Sequence, residues 1–187
     1  WLGLVLRNGI TQNADVSVRG GGVASSYYTS LSYTSQNGVV KGSDFDRISG
    51  KINLDNQLSK KFRISTNLDY GFTKNNISNG VYPQALMAPP TLAPYNADGS
   101  IHIITNTELG NALPDSRLSS IQSPLALLTA INQGKSTSLI GSLSLDYELL
   151  QDLKFKSTVS VNHSSYHQLN YAPSILALGS QTGVRGS

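Results

Sequence analysis

The sequence predicts an all-β protein: an antiparallel up-and-down sheet, about six strands of a larger transmembrane β-barrel, with one long extracellular loop. Three observations predict it. Apolar and polar side chains alternate in six separate runs. The connections between those runs are short and long by turns. Aromatic residues on the apolar side gather near both ends of the runs and leave the middle to aliphatic ones.

The two-residue period matters because successive side chains of a strand point to opposite faces. In the first run Ala14, Val16 and Val18 oppose Asn13, Asp15, Ser17 and Arg19. In the second, Tyr27, Thr29, Leu31 and Tyr33 oppose Tyr28, Ser30, Ser32 and Thr34. The third sets Ile48, Gly50, Ile52 and Leu54 against Arg47, Ser49, Lys51, Asn53 and Asp55. The fourth is the most regular, with Phe62, Ile64, Thr66, Leu68, Tyr70 and Phe72 against Arg63, Ser65, Asn67, Asp69, Gly71 and Thr73. Leu139, Gly141, Leu143, Leu145 and Tyr147 form the apolar side of the fifth. Leu153, Phe155, Val159 and Val161 form that of the sixth. Helical periodicity accounts for none of them.

Gly20–Ser26, Ser59–Lys61 and Gln151–Asp152 are short connections; Asn37–Asp46 and the stretch from about Lys74 to Lys135 are long. In an up-and-down sheet successive connections lie at opposite ends, so the short turns share one end and the long loops the other. Outer-membrane barrels have this asymmetry. The aromatics give a height: from Phe62 to Phe72 a strand tilted ~45° rises roughly 23 Å, against a lipid-facing band of about 25 Å flanked by aromatic girdles.

Composition fits. At 187 residues the chain has the length of one domain, yet only 13% of it is charged, about half the usual share for a soluble domain. Its polarity comes from 27 Ser and 15 Asn. A net charge of +3 without a Lys/Arg cluster gives no footprint for nucleic acid. The absence of cysteine excludes disulfides, thiolate metal sites and cysteine nucleophiles. No run of ~18 apolar residues forms a membrane helix. The start at Trp1, without Met or a signal peptide, suggests a piece of something larger or a processed chain. The competing reading is a soluble or surface-exposed β-sandwich of the adhesin type, an interaction module with one face of each sheet buried.

Within the long loop, Tyr82–Pro90 and Pro94–Ser100 are rich in turn formers. Ser123–Ile131 reads as a short helix with Ser123 at the N-cap and Pro124 in the first turn. Its apolar residues require something to pack on. Candidate chemistry is sparse. His102, His163 and His167 lack metal-ligand spacing, since four residues share a face in a helix but are far apart on a strand. Gly20-Gly21-Gly22 precedes no helix and no Lys-Ser/Thr pair, so it reads as a turn rather than a phosphate loop. Asn96, Asp98 and Ser100 alternate like the opening of a calcium loop but lack its distal Glu, and a tight turn is expected. No Ser is placed beside a His and an acid. No catalytic, cofactor-binding or metal residue is assigned.

Asn8–Gly21, Ser26–Tyr33 followed by Gln36-Asn37-Gly38, Phe45-Asp46-Arg47, Lys51–Asp55 and Pro94–Ser100, in that order, resemble the early barrel of SusC/RagA-type TonB-dependent outer-membrane transporters. The resemblance implies a 22-stranded barrel with a plug in its lumen, of which residues 1–187 are a partial barrel domain. These six strands correspond to about the second to seventh, with Trp1–Gly9 ending the preceding extracellular loop. The plug and energy-coupling segment are absent from the sequence. It further implies residence in outer-membrane lipid and import of oligosaccharides or peptides with a SusD-like surface lipoprotein, driven through TonB. The family offers no catalytic residues to carry over. From residue type and loop position alone, Tyr82 and Tyr95 are candidate ligand contacts.

Overall fold

The computed structural model describes residues 1–112 and 121–176. The part of the long loop between these ranges lies outside the described residues. Six strands, β1 (Ile10–Gly21), β2 (Ser25–Asn37), β3 (Asp44–Ser59), β4 (Phe62–Asn76), β5 (Ile131–Leu150) and β6 (Leu153–Tyr171), form one sheet in sequential order. Every neighbouring pair is antiparallel. The sheet is an open segment of barrel wall.

Register brings the six apolar rows onto one face. Val16 lies opposite Leu31, Leu31 opposite Gly50, Gly50 opposite Tyr70, and Tyr70 opposite Leu139. One step lower, Ile52 pairs with Leu68, Leu68 with Gly141 and Gly141 with Val161. A slip of one residue at any ladder would move a whole row to the other face, so five registers agree on one sidedness. At the short-turn end Phe62, Tyr147 and Phe155 lie side by side, and the Phe62 and Tyr147 rings meet edge to face with centroids 6.0 Å apart. Tyr33, Ile48 and Phe72 line up near the other end. The short-turn girdle expected from sequence is therefore continuous over β4–β6. At the other end Tyr33 and Phe72 are separated by Ile48, and the row passes to Thr137 and Ser165 on β5 and β6.

Nothing among the described residues covers this face. Val16 is 67% exposed, Leu31 59% and Val159 69%, and the mid-band residues Leu68 and Leu143 keep 36% and 42%. A sandwich buries such residues under a second sheet; among the described residues there is one sheet and no second layer. That decides against the sandwich reading.

The buried core lies outside the strands. α1 (Leu2–Val5), α2 (Val81–Met87), α3 (Asn106–Ala112) and α4 (Pro124–Leu127) belong to the segment before β1 and the connection between β4 and β5. Val5, Val81, Ala85 and Leu125 bury one another, and Ala88, Ile104, Leu109 and Ile121 form a second cluster. Trp1 packs against both clusters, and its Nε1 donates to the Pro89 carbonyl at 2.8 Å. The apolar part of the loop thus packs on itself and on the segment leading into β1. That segment is pinned to the β2–β3 connection by Arg7, whose backbone N–H donates to the Val39 carbonyl at 2.8 Å and whose guanidinium donates to the Gly38 carbonyl and to Asp44.

Boundaries shift where polarity hides a strand. β5 begins at Ile131 rather than near Ser138, and β6 runs to Tyr171 rather than to Asn162. Both extensions carry polar side chains on both faces, which removes the alternation but not the backbone ladder. The β2–β3 connection narrows to residues 38–43 and the long loop to residues 77–130. The helix expected over Ser123–Ile131 is a single turn, Pro124–Leu127. Ser123 stands at its N-cap without a side-chain capping bond, and its buried hydroxyl has no partner. Tyr82–Met87, expected as turns, belongs to α2. Pro83 is tolerated there because the first turn of a helix has no acceptor for its N–H.

Candidate solute-facing wall and loop cleft

The face opposite the apolar one is built from single polar groups joined across strands. Lys51 and Asp69, directly opposed on β3 and β4, pair at 3.4 Å. The Ser65 hydroxyl donates to Asp55, Asn67 Nδ2 donates to Ser142 Oγ at 3.3 Å, and the Ser144 and Thr158 hydroxyls lie 3.0 Å apart. A shallow depression of about 320 Å³ opens on this face among Ser30, Ser32, Arg47, Ser49, Asp69 and Ser138. Groups of this kind exchange readily with water and suit a hydrated solute better than a dry core.

At the long-loop end a cleft of about 460 Å³ separates the loop from β5 and β6, lined by Asn79, Gln122, Leu127, Asn132, Gln168 and Asn170 among others. Gln168 Nε2 donates to the side-chain oxygens of Asn132 at 3.0 Å and Asn170 at 3.3 Å. Beside them Tyr166 lies over Gly134. A methyl group there would meet Asn75 Oδ1 and come within 2.9 Å of Tyr166 Oη, so these side-chain ends would have to shift. Sequence reading missed these carboxamides. Their signal, Asn132 with Gln168 and Asn170, becomes visible only once β6 is extended past Asn162.

Tyr82 lies on α2 and is 46% exposed; Tyr95 opens a hairpin turn opposite Ile101 and is 45% exposed. Both therefore present free ring surface at the long-loop end, on separate elements, and neither lines the 460 Å³ cleft. The Asn96–Ser100 segment is a tight turn as expected. Gly99 donates to the Asn96 carbonyl at 3.0 Å, and the Asp98 carboxylate accepts from the Ser100 hydroxyl and N–H at 2.6 and 2.9 Å. Those bonds, the hydroxyl one first, hold Asp98 below its ordinary pKa.

His102 meets Glu108 at 2.9 Å. The same carboxylate accepts from the Thr105 N–H and hydroxyl at 2.9 and 2.7 Å, while the Glu108 N–H donates back to Thr105 Oγ1 at 3.3 Å. This is a capping box on α3, a Thr-x-x-Glu signal in the sequence that was not read. The backbone and side-chain bonds from Thr105 lower the Glu108 pKa. His163 and His167 lie on the apolar-side face of β6, opposite Leu139 and Lys135 respectively. Among the described residues no cluster of three potential metal ligands occurs.

No family model matches the chain. It is 30% identical over 187 residues to TonB-dependent receptor P26 of Formosa agariphila, covering 96% of this chain and 18% of that protein. Against TonB-dependent receptor SusC of Bacteroides thetaiotaomicron the identity is 29% over 175 residues, covering 85% of this chain and 17% of the other. In structure it superimposes on the RagAB peptide importer in its closed-closed state with a TM-score of 0.67 and 17% identity, over 93% of this chain and 20% of that one. The chain thus spans under a fifth of the length of the curated relatives it matches. With one face apolar, the other polar, and the loops divided by length, the chain is built as a segment of β-barrel wall and is similar, over nearly its whole length, to part of the SusC-type TonB-dependent receptors.

Proposed function

We propose that the chain forms part of the wall of an outer-membrane transporter that imports oligosaccharides or peptides, together with a SusD-like surface lipoprotein and driven through TonB. The observation that carries this reading is the common sidedness of all five registers. One face is fit for hydrocarbon, where every backbone N–H and C=O must pair within a closed sheet. The other is fit for a wet lumen. The long-loop end is then extracellular, and the helical loop over residues 77–130 is a surface for solute or for the lipoprotein. Tyr82 and Tyr95 offer ring faces to a sugar or a peptide side chain. Asn132, Gln168 and Asn170 offer the paired donors and acceptors that hydroxyl or amide groups need.

The test is uptake by cells carrying the full-length transporter, with fluorescent maltooligosaccharides and a mixed peptide digest as probes. The reading expects outer-membrane fractionation and uptake of one probe class that collapses when the proton-motive force is abolished. Uptake indifferent to that force, or a soluble product, would contradict it. Tyr82→Ala with Tyr95→Ala should lower uptake several-fold. Unchanged uptake would remove the two tyrosines from the site and leave the transport reading standing.

A further inference from the structure

The outer face of the sheet carries a feature that neither the apolar band nor a lumen solute explains. On β4, β5 and β6 the apolar run ends at Phe72, Leu139 and Val161. The next outward-facing residues toward the long-loop end are Lys74 on β4, Thr137 then Lys135 on β5, and His163, Ser165, then His167 on β6. Asn76, Gln133, Ile131, Leu169 and Tyr171 follow them. Register makes these neighbours: Lys74 is opposite Lys135, Lys135 is opposite His167, and His163 is opposite Leu139. With strands about 4.8 Å apart, Lys74 and His167 are roughly 10 Å apart across the sheet. Lys135, His163 and His167 are exposed.

Two further facts give the cluster a direction. The acidic residues on the same face, Asp44 and Asp46, sit on β3: Asp44 holds Arg7, while Asp46, directly opposite Lys74, accepts from the Ser35 hydroxyl at 2.8 Å. Among the described residues no carboxylate lies within 4.0 Å of either lysine amine. At the short-turn end the same face carries Asn56, Phe62, Tyr147, Phe155 and Ser157, with no charge. The outward charge of these strands is therefore confined to one rim.

We propose that Lys74, Lys135, His163 and His167 bind the phosphate groups of anionic lipids in the outer leaflet. The proposal rests on the membrane reading above. Side chains on the outer face cannot reach a solute in the lumen. A lysine just beyond an apolar band extends its amine into the headgroup layer. Histidine there donates an N–H in either protonation state. Lys135, flanked by Lys74 and His167 and directly opposed by no carboxylate, favours an anionic headgroup by charge complementarity.

The experiment uses the full-length transporter in phosphatidylcholine vesicles containing either bisphosphorylated lipid A or its dephosphorylated counterpart, with retained lipid measured by native mass spectrometry after extraction. The wild type should retain the phosphorylated lipid preferentially. The variant K74Q/K135Q/H163Q/H167Q should insert equally well and lose about tenfold of that preference. The milder K74Q/K135Q should lose part of it, and K154Q/K156Q, on the lumen face, should lose none. An unchanged preference in both rim variants would overturn the proposal, as would displacement of the retained lipid by millimolar inorganic phosphate. If the wild type inserts in neither vesicle, the membrane reading itself fails and the proposal with it.

Discussion

The ring of Tyr27 lies over Gly20, its directly opposed partner on the neighbouring strand: a methyl group built on Gly20 would fall 2.6 Å from Tyr27 Oη. Glycine is the only residue that lets this outward-facing aromatic lie flat at the short-turn end. Such pairing of a ring with a strand glycine restores the cross-strand contact that the glycine lacks. Gly20→Val should displace the ring and cost about 1–3 kcal/mol. The measurement is the urea midpoint of the full-length protein refolded into vesicles, read by tryptophan fluorescence. Gly22→Ala, which meets nothing within 4 Å, is the matched control.

Arginine at the middle of the apolar band should be far more damaging than arginine one residue away. Leu143 faces outward between Thr66 and Val159, while Ser144 faces the other side between Ser65 and Thr158. Leu143→Arg should destabilise the inserted barrel by roughly 2–4 kcal/mol. Ser144→Arg should change stability little, because its guanidinium reaches water. Equal effects would contradict the assigned faces.

Acid should loosen the loop at α3 first. The Glu108 carboxyl is held below its ordinary value of 4.5 by the Thr105 bonds. A carboxyl whose folded-state pKa is depressed contributes stability that is fully present above the unfolded value and is lost as pH falls through the folded one. Protection of the first turn of α3 from hydrogen exchange, taken relative to the intrinsic rate at each pH, should therefore be full at neutral pH and fall below about pH 4.5 as Glu108 protonates. Glu108→Gln should abolish that response and keep part of the cap, since an amide oxygen still accepts from Thr105.

Much of this fold was legible because a membrane strand obeys a rule of period two and has no second layer to blur it. Phe62–Phe72 could be read residue by residue, and its aromatic ends marked both girdles. The rule fails above the band. At Lys135 and His167 both faces meet polar surroundings, so alternation disappears while backbone pairing continues, and β5 and β6 run further than the side chains suggest. The loop was harder for a different reason. Pro83 and the flanking prolines read as breakers, although a first-turn proline costs α2 nothing, and the burial of Val81 and Ala85 depends on Val5 from a segment about eighty residues earlier. Of the candidate contacts, Tyr82 and Tyr95 could be chosen by residue type. The carboxamides of Asn132, Gln168 and Asn170 could not, because only register places them together.

The central claim is that alternate residues of each strand meet hydrocarbon and water. Since the chain contains no cysteine, Leu68→Cys and Asn67→Cys give this segment unique sites for a nitroxide label on opposite faces of the same strand. Power-saturation EPR on the full-length protein in vesicles measures their collisions with oxygen, which concentrates in hydrocarbon, and with a nickel chelate, which stays in water. The account predicts that the label at 68 favours oxygen and the label at 67 favours nickel. Nickel dominance at 68, or the same balance at both positions, would contradict it.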